Sequence, residues 1–351
     1  MRKNVLIGRL SAGFCPHLVR GVCDGNWGTG SSKIAFITFV LIFLFNFGCG
    51  ICCADREQDV EALFKAVDSG DVANVTKLLN KDTLVESVSD VDGATPLIRA
   101  VKKGHHRIVK LLLDSGADIN GKDKRDRDTP LCWACWRNRI EIVKLFVEKG
   151  ALVNIGNAAG SNPLIIASSI GGREIVALLL AHGADINSAD TEGNTALIRA
   201  AEKGHVEVVR LLILKGADAS CLNKDGISAL MAAAKTARRN AVSMILESFP
   251  VKINMEDSSG ATALIWATLA GDPSTITILI KNGADVNIKE KDGWTALHYA
   301  VGKGDIEVVK LILESGGDPN AATRYKQTPL EIASKRGNKH AKRMLTSFGA
   351  R

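Results

Sequence analysis

The stretch TALIRAAEKGHVEVVRLLILKGAD, residues 195–218, sets how this chain folds. Thr195 is placed to cap a helix, its hydroxyl accepting from one of the first-turn N–H groups that have no partner inside the helix. The helix that follows carries Leu197, Ala200 and Ala201 on one side. Gly204 ends it, because the residue just past a helix commonly takes the left-handed backbone that glycine adopts without a Cβ clash. From His205 a second helix sets Val208, Val209, Leu211 and Leu212 in an apolar stripe and closes at Gly216. The unit is a helical hairpin followed by a short turn.

Along the rest of the chain, the capping position recurs at Thr95, Thr129, Asn162, Ser228, Thr262, Thr295 and Thr328, spaced by 33 or 34 residues, with a degenerate copy starting at Glu61. Two residues after every start stands leucine, from Leu63 to Leu330, and five residues after it stands alanine, from Ala66 to Ala333. A small side chain there lets neighbouring helices approach closely. The helix-ending glycine returns at Gly70, Gly104, Gly171, Gly271, Gly304 and Gly337, with Asn138 as the next-best left-handed residue and Ala237 as the exception.

This pattern resembles the ankyrin-repeat family, in TPLIRA (95–100), TALHYA (295–300) and the Gly-Ala-Asp turns at 116, 183, 216 and 283. The resemblance implies an all-α solenoid of about nine helix-turn-helix units with short hairpin loops, spanning residues 55–351. Its N-terminal cap is 58–91, its repeats 92–322 and its C-terminal cap 323–351. The family's histidine after Pro-Leu survives only as His298, replaced by Ile98, Cys132, Ile165, Ile198, Met231, Ile265 and Glu331. An apolar residue there is expected to pack where the histidine would hydrogen-bond.

Before the repeats, residues 1–33 form a basic, glycine-rich leader, and 34–54, IAFITFVLIFLFNFGCGICCA, run without a charge. That length suits a bilayer crossing at about 1.5 Å per residue. Basic residues precede the run while Asp55, Glu57, Asp59 and Glu61 follow, which places the N-terminus in the cytoplasm and the repeats outside. A signal peptide cleaved before Asp55 gives a secreted or periplasmic protein, whereas a retained anchor leaves the repeats tethered to the membrane. Gly48-Cys49 offers lipidation as a further alternative, although Asn46 stands where such sites prefer leucine.

The composition, 46% hydrophobic and 24% charged, belongs to an ordered protein. The formal net charge of +7 is concentrated in residues 1–54, with five Lys and Arg against one Asp; removing that +4 leaves the repeats +3, too little for a nucleic-acid footprint. There is no glycine-rich phosphate loop, no GxSxG elbow and no HExxH, and residues from 58 onwards are committed to repeats. An enzyme is therefore not expected, nor a cofactor. The competing chemistry is a thiol redox pair or metal site at Cys132 and Cys135; Cys135, however, falls in the small-residue slot filled elsewhere by Ala201 and Ala234, which reads as packing. His105-His106 opens a second helix where the resemblance expects one histidine for local hydrogen bonding, with metal binding as the competing reading.

Two units depart from the frame. At 121–128, GKDKRDRD, one inserted residue and Arg127 in place of glycine lengthen a hairpin tip. In 228–261, Ala237, Arg238 and Phe249-Pro250 are expected to loosen the stack locally. Polar Asp68, Ser69, Asp71 and Asn74 at one end, and Lys335, Arg336, Asn338, Lys339, Lys342 and Arg343 at the other, suit terminal repeats with one solvated face.

The resemblance further implies a scaffold that binds another protein through a concave face, as a monomer, in the exported space or as a membrane-anchored organiser of an envelope complex. The family's groove positions are the residue before each cap and the two after the inner helix's small pair. Here they include Lys102, Lys103, Trp136, Arg137, Trp294 and Lys303, with Arg127 at the irregular tip. Trp133 and Trp266, four residues after their caps, are expected to pack.

Overall fold

The computed structural model describes residues 58–79, 93–248 and 251–351. The chain divides at Ala62 into two compact units, Met1–Ala62 and Leu63–Arg351. The leader, the 34–54 segment, residues 80–92 after the first helix pair and Phe249-Pro250 lie outside the described residues.

Helix α1 covers 58–69 and α2 Val72–Leu79. The first helices of the following pairs are α3 (Pro96–Lys103), α5 (Pro130–Trp136), α7 (Pro163–Ile170), α9 (Ala196–Lys203), α11 (Ala229–Lys235), α13 (Ala263–Ala270), α15 (Ala296–Lys303) and α17 (Pro329–Lys335). Their partners are α4 (His106–Asp114), α6 (Ile140–Glu148), α8 (Arg173–Ala181), α10 (Val206–Leu214), α12 (Arg239–Ser248), α14 (Pro273–Lys281), α16 (Ile306–Glu314) and α18 (Lys339–Ser347). From α5 to α15 each first helix packs on its own partner and on the first helices of the pairs before and after it. The expected all-α stack of nine helix pairs is what the described residues form.

The caps work as the residue types require. Thr129 Oγ1 accepts from the Cys132 N–H at 3.1 Å and Asn162 Oδ1 from that of Ile165 at 2.9 Å, and Thr95, Thr195, Ser228, Thr262 and Thr328 do the same. At Thr295 the imidazole joins in: His298 Nδ1 accepts from the Thr295 N–H at 3.1 Å while Nε2 reaches the Gln327 carbonyl at 3.2 Å. Burial holds the pKa of His298 below its ordinary value, so the ring is neutral and links two repeats. Where His298 is replaced, Ile98, Cys132, Ile165, Ile198, Met231 and Ile265 are all at most 2% exposed, as expected of packing residues. Glu331 instead completes a capping box, accepting from the Thr328 N–H at 3.1 Å.

The core is the leucine and alanine register. From Leu63 to Leu297 every leucine two residues after a start is buried, each contributing about 2 kcal/mol by removal from water, and only Leu330 in the last pair is half-buried. The terminal unit thus does expose one face. The first repeat is less solvated than its polar residues suggest: Asp71 caps α2, but Asp68 takes both Nε and an Nη of Arg99, at 2.7 and 2.8 Å, and so joins the first pair to the second.

Between pairs, each turn projects a hairpin whose tip bonds the next. Ala158, Thr191, Lys224, Ser258, Lys291 and Arg324 donate their N–H to the carbonyls of Asp126, Ala159, Glu192, Asp225, Ser259 and Asp292 at 2.7–2.9 Å. The residue after each accepting carbonyl must be left-handed, and glycine suits because the chain ahead is so close: a Cβ on Gly226 would lie 2.6 Å from the Ser258 nitrogen. Arg127 and Lys326 hold this conformation with side chains, at φ 55° and 59°.

Ala237 does the same at a helix end, with φ 55°, so the repeat 228–261 keeps its register despite the missing glycine. Its first helix packs on both neighbours and its hairpin tip is bonded on both sides. The expected loosening is therefore absent from these parts, while Phe249-Pro250 lie outside the described residues. Asn154, Asn187, Asn254, Asn287 and Asn320 each accept from a backbone N–H of the following repeat at 2.8–2.9 Å, 31 residues on. Ser220 stands at the equivalent position and instead turns its hydroxyl to Asp218, 2.6 Å away.

Candidate binding groove

A second recurring residue organises the hairpins. Asp123, Asn157, Asp190, Asn223, Asp257 and Glu290 each accept from two backbone N–H groups of their own turn, as when Asp190 Oδ1 takes those of Glu192 and Asn194 at 2.9 and 2.8 Å. In three of the hairpins the side chain four residues after the cap then reaches back to the same group. Arg199 bonds Asp190 Oδ2 at 2.7 Å, and the indole N–H groups of Trp133 and Trp266 donate to Asp123 and Asp257, both at 2.8 Å. Trp133 and Trp266 thus tie helix to hairpin, and a lysine of the preceding repeat covers each: Lys102 Nζ lies 3.9 Å from the Trp133 ring centroid and Lys235 Nζ 4.3 Å from that of Trp266.

In the second full repeat this arrangement leaves a cleft of about 490 Å³, lined by Asp126, Asp128, Trp133, Trp136, Arg137 and Asn157 with the backbone at 158–159. The C-terminal end of α5 supplies Trp136 and Arg137, while the hairpins before α5 and α7 supply the acids and the amide. Trp136 is 40% exposed, which is high for a ring of its size. The Arg137 guanidinium stands 6.0 Å from the Trp133 ring.

Asp128 forms the floor, 3% exposed. Burial pushes its carboxyl up to about 6, Asp123 and Asp126 add to the rise, and a 2.9 Å hydrogen bond from Asn157 Nδ2 opposes it. Asp190 shows the contrast. Burial opposes its charge as well, but Arg199 and the Asn194 N–H hold its carboxyl below the usual range.

Of the residues singled out in the sequence, Trp136 and Arg137 share this cleft, and Lys102 stands behind it on Trp133. Lys103 turns to Asp68, 3.7 Å away, and Arg127 is exposed at the hairpin tip. Trp294 and Lys303 belong to another part of the stack. Trp294 is half-buried, its ring 5.0 Å from Tyr299 and 5.8 Å from His298, and Lys303 Nζ closes the preceding repeat by bonding the Leu269 carbonyl at 2.7 Å. The expectation of an exposed ring therefore holds for Trp136 and is corrected for Trp294.

Cys132 and Cys135 are wholly buried free thiols. Burial pushes Cys132 up to about 11 and Cys135 well above its ordinary value, which disfavours the thiolate that redox or metal chemistry requires. His105 hydrogen-bonds across repeats rather than locally as expected, its Nε2 3.4 Å from the Asp68 carbonyl of the preceding repeat, while His106 is exposed. Among the described residues no helix is long and apolar enough to cross a membrane; the 34–54 segment lies outside them.

Asp128 and the hairpin acids are the residues that the sequence reading missed. A carboxylate or amide five residues before most caps, in step with the threonines, was the signal available for the latter.

The sequence model of a family described as ankyrin repeats (3 copies) matches residues 37–123, 63–157, 131–221, 197–290 and 269–351. No curated protein matches the chain.

Proposed function

Because this chain belongs to the ankyrin-repeat family, whose members generally mediate protein–protein interaction and are typically non-enzymatic, we propose that it is a scaffold binding another protein at the cleft that carries Trp136. The observation that carries the reading is the 40% exposure of Trp136 beside a cleft whose other walls are fixed by the fold. A large apolar ring held in water by a rigid frame has a cost that packing within the chain does not offset, and tryptophan with arginine is the composition enriched at binding hot spots. The walls do not need ordering on binding, since Trp133 is bonded to Asp123 and the hairpin tips are bonded to each other. The uncharged run 34–54 and the charge reversal across it support export or membrane tethering of the repeats, where the partner would be met.

The test is truncation. Trp136→Ala should weaken partner binding by about 2 kcal/mol or more while the melting temperature stays nearly unchanged. Unchanged affinity for the partner would remove the cleft from the interface.

A further inference from the structure

The position immediately before the cap is Ala94, Asp128, Ser161, Asn194, Ile227, Ala261, Trp294 and Gln327 in successive repeats. The frame accepts apolar, amide, hydroxyl and aromatic side chains there, so the fold does not call for a charge. Only Asp128 is ionisable, and it is among the most buried carboxylates of the described residues. A carboxylate withdrawn from water is costly unless a cation compensates it. Among the other buried acids Asp190 has that cation in Arg199, while Asp123 and Glu290 each accept from two backbone N–H groups of their own turn. At Asp128 no ion pair is formed among the described residues. Asn157 donates one neutral hydrogen bond, Lys102 is engaged over Trp133, and Asp123 and Asp126 raise the negative potential further.

Asp128 nevertheless faces space, since it lines the same cleft as Asp126 at the rim and Trp136 on the side wall. A buried carboxylate, a second one at Asp126 that an exposed Arg125 approaches only to 3.9 Å, and an indole alongside are complementary to a cation on an apolar stem. Arg137 on the opposite wall keeps the site from being a general attractor of positive charge.

We infer that the cleft receives a lysine or arginine side chain of the bound protein, its head paired with Asp128 and Asp126 and its stem against Trp136. The inference rests on the reading of the cleft as the binding surface and names the chemistry of its occupant. Seating a guanidinium or ammonium on Asp128 gives it the kind of partner that Asp190 has in Arg199.

The experiment uses the full-length protein and three probes, end-blocked polyglycine peptides whose central residue is arginine, citrulline or glutamate, titrated while the tryptophan indole N–H resonances are followed. The arginine peptide is expected to bind weakly and to shift the Trp136 signal, with citrulline, which keeps the shape and loses the charge, at least tenfold weaker. Asp128→Asn should abolish the preference for arginine over citrulline without lowering the melting temperature, and Asp126→Asn should reduce it in part. Equal binding of arginine and citrulline, or preference for glutamate lost in Arg137→Ala, overturns the inference. The two levels separate when a protein partner is in hand. If Trp136→Ala weakens its binding and Asp128→Asn does not, the cleft stands and the basic occupant falls. If Trp136→Ala has no effect, the cleft itself falls.

Discussion

Protonated Asp128 suits its surroundings better than ionised Asp128. Burial and the neighbouring Asp123 and Asp126 penalise the charge, and the bond from Asn157 with the attraction of Lys102 offsets this only in part. Between the ordinary value of 3.8 and the folded value of about 6 the native state holds more proton than the unfolded chain, so this residue's contribution to stability declines as pH rises through that window. Asp128→Asn keeps an acceptor for Asn157 and removes the charge. Thermal unfolding across pH should show wild type and variant alike near pH 4 and the variant more stable, by roughly 2 °C or more, above pH 6. A variant less stable at neutral pH would mean that the carboxylate is compensated after all. The same scale separates the two tryptophans. Trp294→Ala should lower the melting temperature, because its ring packs on Tyr299 and His298, whereas Trp136→Ala should not. At Cys132 and Cys135, alanine should cost about 1 kcal/mol each and leave binding intact. Peptide mapping after alkylation should find half-buried Cys221 modified before either.

Among the elements, the turn that ends each first helix has one backbone requirement, and Ala237 meets it with a Cβ in the left-handed region at φ 55°. For an L-residue this costs about 1 kcal/mol relative to glycine. Ala237→Gly is therefore expected to raise the denaturation midpoint by an amount corresponding to about 1 kcal/mol, with the slope unchanged. The mirror substitution Gly204→Ala should destabilise by more, since its Cβ would also meet Arg238 Cδ at 2.7 Å. The lost asparagine bond at Ser220 acts on a different element, the margin next to α12, and leaves the hairpin tips paired. Repetition makes both effects readable, because the neighbouring repeats show what each position otherwise holds.

For the molecule as a whole, the stack of pairs makes one rigid surface out of many short helices, none of which would be stable alone at seven to twelve residues. Stability resides in the interfaces between repeats, through buried leucine and alanine, the hairpin-tip bonds and the asparagine bonds. Where this surface operates is a matter for residues 34–54. A reporter enzyme fused after residue 60 should be active only outside the cytoplasm, and the mass of the mature N-terminus should distinguish cleavage before Asp55 from a retained anchor. Activity of the fusion inside the cytoplasm would remove export from the proposal.

The repeat was legible in the sequence without any coordinates: the period, the caps, the ending glycines and the buried leucine and alanine are all local requirements of a helix pair, and such requirements recur in step along the chain. Trp136 and Arg137 stood out as well, because a repeat frame makes unusual residues visible. What surrounds each of them is a product of tertiary packing. Trp294 and Trp136 are both tryptophans at groove positions, yet one rests on Tyr299 and His298 and the other stands in water. Asp68 reads as a solvated end residue and is an ion-pair partner of Arg99, while Asp128 reads as one acid in a charged loop and is a buried carboxylate lacking its cation. For the two acids the reason is that their partners, Arg99 and Asn157, lie 31 and 29 residues away, one repeat on, and a pattern within one repeat does not record them.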